Sequence, residues 1–175
     1  MKVPKNISKL IIIVLLLIIA ITTTIPASAY VRSSTRLPSK YTTYKWHSDI
    51  LYDYKIAWQS AISDWYSASS LVLSYSSSSV NTLGQAYDVS DSCYGYLSSA
   101  TDGNGLITQF SAFINRALDS SDNETTRRSV ANHEIGHAFG LAHTSSNAVM
   151  NTSRNRDTIF TPQTDDRNGI AAIYG

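Results

Sequence analysis

The chain has 175 residues, 43% of them hydrophobic and 15% charged, with a formal net charge of +1. One domain is expected, since single cores usually run to about 100–200 residues. Lys2, Lys5 and Lys9 fall in the first nine positions and no acid precedes Asp49, so residues 30–175 carry 11 Lys and Arg against 13 Asp and Glu. That near balance excludes a dedicated nucleic-acid binder, which shows a basic patch or stripe, and a highly charged disordered chain.

The basic start leads into the apolar run Leu10–Ile21 and then to Ala27-Ser28-Ala29. A positive n-region, an apolar h-region and a small-x-small ending read as a secretory signal peptide over 1–29. The competing reading is an uncleaved anchor, but a spanning helix wants roughly 20 apolar residues and no cleavage site. Either way the folded part is expected outside the cytoplasm, and after cleavage it is expected to be secreted, extracellular and free of stable membrane association. Cys93 is the only cysteine, so no intramolecular disulfide can form. Stability must come from the core, and Cys93 itself is expected to be a buried small hydrophobe.

Residues 30–40 are polar and carry Pro38, which predicts a short extended lead before a domain over 41–175. Thr42–Ser48 alternates and suits a first strand. Leu51, Tyr54, Trp58, Ala61, Ile62 and Trp65 then recur at three- and four-residue steps, predicting an amphipathic helix over about Asp49–Ser67 with an aromatic core stripe. Strands are predicted at Leu71–Tyr75, Leu83–Val89, Tyr94–Ser98 and Leu106–Ile114, with a turn at Asp102-Gly-Asn-Gly105. Ser121-Asp-Asn-Glu124 has capping-box spacing and predicts a helix over about Asp122–Phe139 that turns Val130, Ile135 and Ala138 inward. Near the end, Thr161 as N-cap and Pro162 at the first helical position predict a last helix with Asp165 and Asp166 near its positive end. One long helix, several strands and later helices make an α/β or α+β layer arrangement.

Three of the four histidines and one of the two glutamates lie within eleven residues: His133-Glu134-Ile-Gly-His137-Ala-Phe-Gly140-Leu-Ala-His143. His133 and His137 are one turn apart on a helix, so both imidazoles can face one ion. On a continued helix His143 would be out of reach of Zn–N bonds of about 2.0–2.1 Å, so the chain must turn back. Gly140 is where it can, because glycine accepts the left-handed conformation that ends helices. Three neutral imidazoles leave a fourth position for water, the layout of a catalytic zinc site with one ion. Glu134 points about 100° away from His133, where it can reach that water without ligating the metal and act as base. His47, the remaining histidine, is expected to have an ordinary surface or hydrogen-bonding role.

The motif, with Met150 seven residues past the third histidine, resembles the metzincin metallopeptidases and their Met-turn. Within that clan it is most similar to the matrixins: Thr144 follows the last ligand, and Asn147-Ala-Val-Met150 is similar to the matrixin Met-turn. No Tyr stands at 152, so no extra tyrosine ligand is implied. The segment Thr161–Gly175 also resembles the matrixin C-terminal helix. The resemblance implies a zincin-like fold with a twisted mixed sheet, a long helix, an active-site helix and a small C-terminal part. It further implies His133, His137 and His143 as zinc ligands, Glu134 as general base and acid, and Met150 as packing beneath them.

Some family features have no counterpart. No cysteine precedes the domain, so no cysteine switch is implied, and with His47 the only spare histidine a second, structural zinc site is not expected. Asp102-Gly-Asn-Gly105 resembles the family's calcium-binding stretch, and a plain turn explains it as well. The implied activity is that of a secreted zinc endopeptidase of the minimal kind expected from bacteria, a monomer acting on protein or peptide substrates laid along an edge strand. The alternative is a non-enzymatic secreted zinc-binding or adhesion module that keeps the fold.

Overall fold

The aromatic stripe around Trp58 organises the molecule. In the computed structural model, which describes residues 29–118 and 123–175, the first strand pair element is β1 (Val31–Arg32), followed by β2 (Tyr41–Trp46) and the long helix α1 (Tyr52–Ser69). The signal peptide expected over 1–29 lies outside the described residues except for Ala29. Tyr54, Ala57, Trp58, Ala61 and Trp65 form the buried face of α1, as the spacing predicts, whereas Leu51 stays half exposed because it is the N-cap. Helix α1 ends where Ser70 takes a left-handed φ of 58° and donates its N–H to Tyr66 O. The indole N–H groups are satisfied in the core: Trp58 Nε1 donates to Gly84 O at 2.9 Å and Trp65 Nε1 to Asn132 O at 3.0 Å. Each such ring removes about 150–250 Å² from water, worth several kcal/mol at about 25 cal/mol per Å² before the entropy of ordering is subtracted.

Next come β3 (Val72–Tyr75), β4 (Thr82–Ala86), β5 (Gly95–Thr101) and β6 (Ile107–Asn115), then α2 (Glu124–Ala138), β7 (Leu141–Ala142) and α3 (Thr164–Tyr174). The main sheet has the order β3-β2-β4-β6-β5. Its β2–β3, β2–β4 and β4–β6 pairs are parallel, and β5 runs antiparallel to β6 with a register shift at Ala100/Thr101. The parallel pair β2–β3 is joined through α1, the crossover such a pair requires. This is the mixed α/β sheet expected from the sequence, and β5 is its edge on the side of α2. A separate antiparallel pair joins β1 to β7, so the first described residues are tied to the segment after the histidine helix.

Helices α1 and α2 are clamped at their polar margin. Arg128 donates from Nε and Nη2 to the two carboxylate oxygens of Asp64 at 2.8 and 2.5 Å, and Asn132 Nδ2 donates to Asp64 Oδ2 at 2.8 Å. No helix among the described residues is long and apolar enough to cross a membrane.

Three local expectations are corrected. Helix α2 starts at Glu124 with Asn123 as its N-cap, whose side chain accepts from Thr125 N at 3.0 Å. Asn123 is fixed there by donating to Asp157 at 2.6 Å, and Glu124 falls at the first helical position rather than the third. Ser121 lies outside the described residues. Helix α3 begins two residues later than Thr161 and Pro162 predict: Gln163 is the N-cap and shares a reciprocal capping box with Asp166. Cys93 is exposed rather than buried, because it sits in the loop before the edge strand, where its N–H is taken by Asp91 Oδ1 at 2.8 Å. Asp102-Gly-Asn-Gly105 forms the β5–β6 turn, with Asp102 Oδ1 accepting from Asn104 N and Leu106 N and Gly105 at φ +78°.

Candidate metal centre

Helix α2 carries His133 and His137 one turn apart, and the helix ends at the next residue, Ala138. Phe139 is the C-cap, and Gly140 takes φ +94°, a conformation open to glycine without a Cβ penalty. The chain then reverses through β7 and delivers His143. The three Nε2 atoms lie 3.1–3.2 Å from one another. Among the described residues this is the one group of His, Cys, Asp or Glu side chains placed to share an ion. His47 is not part of it; it follows β2 and packs edge-on against Phe113.

The protons show why these contacts are not ordinary hydrogen bonds. His133 Nδ1 lies 2.8 Å from Val149 O and His137 Nδ1 lies 2.8 Å from Leu141 O. A carbonyl only accepts, so each Nδ1 must carry the proton, and in the neutral ring Nε2 is then a bare lone pair. At least two lone pairs therefore face each other at 3.1 Å with no donor between them. Nitrogens bound at about 2.0–2.1 Å in a tetrahedral site would stand about 3.3 Å apart, so the cluster fits a zinc ion. Burial favours the neutral rings: it pushes His133 well below the usual imidazole range, with His137 and Arg154 adding to the effect, and it also lowers His137 and His143.

Glu134 is on the next position of α2, buried, with its carboxyl pushed up to about 8 by burial and opposed only in part by the Arg154 charge. A dication beside it would pull that value back down. It lies below the start of β5, where Gly95 has room for no side chain: a Cβ there would stand 2.6 Å from Val130 Cγ1 and 2.8 Å from Glu134 Oε1. Met150 packs beneath α2 with its sulfur directly against Gly136.

Two supporting residues have no signal in the motif. Asp166, on α3, accepts from the N–H groups of Val149 at 2.8 Å and Met150 at 3.2 Å and from Gln163 N at 2.8 Å. Arg154 is buried and donates to Ser129 Oγ, Ser129 O and Asn151 O at 2.9–3.0 Å, placing its guanidinium behind His133. Burial lowers it to about 10. A sequence signal existed only for Asp166, as an acid in the first turn of a predicted helix.

The imidazoles and Glu134 open into a cleft of about 700 Å³, walled on one side by the start of β5 and on the other by the loop that holds Arg154 and Arg156. A fourth ligand position facing this cleft would be reachable by a small molecule or a peptide. No curated protein matches the chain in a sequence comparison. The matrixin family matches residues 34–175, nearly the whole of the described domain. The histidine cluster, the turn at Gly140 and this match agree, and the chain belongs to the matrixin family of zinc-dependent metallopeptidases.

Proposed function

We propose that the protein is a secreted endopeptidase that hydrolyses internal peptide bonds with Glu134 as its proton carrier. The observation that carries this reading is the position of Glu134: a buried carboxyl, adjacent in sequence to the first histidine and facing the same cleft as the cluster. Zinc held by His133, His137 and His143 supplies Lewis acidity, which polarises a carbonyl and brings the pKa of a water toward 7. The chain's own residues do the rest. Glu134 takes one proton from the attacking water and gives it to the departing amine, a role its place beside the first histidine and in the cleft permits. The carbonyls of Val149 and Leu141 hold His133 and His137 in the tautomer that keeps Nε2 free. The outer edge of β5 offers unpaired backbone groups to an extended substrate.

Secretion rests on the basic start, the apolar run and Ala27-Ser28-Ala29. Intact mass of the exported protein tests it, with Tyr30 expected as the first residue. For the chemistry, Glu134→Gln keeps the side-chain volume and all three imidazoles while removing the base. The expected result is unchanged zinc content with peptide cleavage slowed at least about a hundredfold, within the 10²–10⁴ range for a lost general base. Zinc binding by the native protein with no cleavage of any peptide in a broad mixture would favour the non-enzymatic module. Cleavage by the variant at the native rate would remove Glu134 from the mechanism.

A further inference from the structure

We propose that Arg156 reads a carboxylate on the substrate, so that peptides with Glu or Asp just beyond the scissile bond, on its carboxyl side, are preferred; the inference rests on the peptidase reading above. Arg156 lines the cleft from the loop that follows the Met-turn and reaches the opposite wall, where its Cζ stands 4.0 Å from the centre of the Tyr94 ring. Tyr94 immediately precedes β5. The guanidinium therefore spans the cleft at one end.

Its hydrogen-bonding capacity is almost wholly unspent. The single bond it makes among the described residues is from Nη2 to Thr152 O, long at 3.3 Å, and its Nε is buried with no partner among them. A guanidinium seated on an aromatic ring uses its face, which leaves its N–H edge for an acceptor in its own plane. No carboxylate among the described residues pairs with it; the ion pair nearest in kind is Arg128 with Asp64, between the helices. The Nη N–H groups at the open end of the guanidinium remain for a substrate acceptor, and a planar two-oxygen group can take two such bonds at once.

Arg154 differs. Its three bonds to Ser129 and Asn151 commit it to holding the loop, so it adds positive charge to the wall without presenting a free edge. Among the described residues the one acidic side chain lining the cleft is Glu134, which is engaged at the site itself. The wall that a bound peptide meets is thus cationic, and its accessible donor is Arg156.

Direction follows from the sheet. A peptide added to β5 in the antiparallel sense, as β6 is added on its other side, runs its carboxyl-terminal half toward Gly95 and Tyr94. The residues that reach Arg156 are then those after the cut. A carboxylate there has two sources, an acidic side chain or the peptide's own C-terminus, and the endopeptidase reading selects the side chain.

The test uses the mature zinc-loaded protein and position-scanned decapeptides carrying Glu or Gln at one site, each with a free or an amidated C-terminus, with cut sites read by mass spectrometry. The native protein is expected to cleave the Glu peptide with a kcat/KM about tenfold above the Gln peptide when that residue follows the cut, and Arg156→Gln to bring the ratio to within about twofold. Arg156→Glu should invert it in favour of Lys. A ratio near one in the native protein, or one that survives Arg156→Gln, overturns the proposal. Dependence on the free C-terminus instead of the Glu side chain leaves recognition by Arg156 standing but overturns both the side-chain preference and the endopeptidase reading. Binding of the same fluorescein-labelled peptides to Glu134→Gln, with and without Arg156→Gln, provides a readout that needs no turnover. Preference in binding without cleavage by the native protein would sink the peptidase reading alone.

Discussion

Asp166 and His133 are joined through one residue: Asp166 Oδ2 accepts the Val149 N–H at 2.8 Å, and Val149 O lies 2.8 Å from His133 Nδ1. The last helix thereby sets the orientation of the first histidine of the cluster.

Asp166→Asn should loosen this link. The amide has one oxygen where the carboxylate uses both to take three backbone N–H groups, and bonds to a charged acceptor are worth about 1.5–3 kcal/mol each. The expected loss is about 2–3 kcal/mol of stability together with about 10–100-fold weaker zinc binding, the range for removing a partner that orients a ligand. Denaturant unfolding and zinc competition against a chromogenic chelator measure the two effects separately.

His143→Ala removes the ligand that the turn at Gly140 exists to deliver. Two imidazoles on α2 cannot close a site alone, so zinc should be lost on dialysis and the affinity should fall by more than about a hundredfold, beyond the loss for a merely orienting partner. Metal analysis of the dialysed variant is the measurement, and full retention would mean that the third ligand lies elsewhere.

The clamp between α1 and α2 gives a prediction away from the metal. Asp64→Ala leaves Arg128 and one bond of Asn132 without their acceptor. Because Arg128 is about a third exposed, solvent discounts the pair, and the expected cost is about 1–2 kcal/mol. A lower midpoint in denaturant with an unchanged slope would show it.

Cys93 lines the cleft and is exposed, and the hydrogen bond and charge of Asp91 hold its thiol above the usual range. Since the thiolate is the nucleophile, labelling by a maleimide should be slow at pH 7 and should rise about tenfold per pH unit to beyond pH 9. A bulky label placed there should obstruct peptide cleavage while leaving zinc bound. Fast labelling at pH 7, or a labelled enzyme as active as the free one, would contradict the position of the thiol.

What could be read from the sequence follows the range of the interactions. The spacing of His133, His137 and His143 and the glycine at 140 are local geometry, and the fold places all four as that geometry requires. The stripe Tyr54, Trp58, Ala61 and Trp65 is likewise a periodicity that any helix would display. Helix starts are less legible because side chains compete for them: Asn123 is held by Asp157, 34 residues away, and Gln163 by Asp166, which also binds the Met-turn. Arg154 and the exposure of Cys93 depend on which loops meet across the cleft, and no spacing in the chain encodes that.

Trp65 turns the interior of this protein into its own optical probe. Its indole N–H rests on the carbonyl of Asn132, the residue immediately before His133, and its ring is fully buried beside Gly136 and Met150. Tryptophan emission therefore originates partly from a ring on α1 packed against α2, the helix that carries two of the imidazoles. Any event that shifts α2 against α1, whether stripping of the ion or melting of the clamp at Asp64, should register as a change in fluorescence wavelength without a label having been attached.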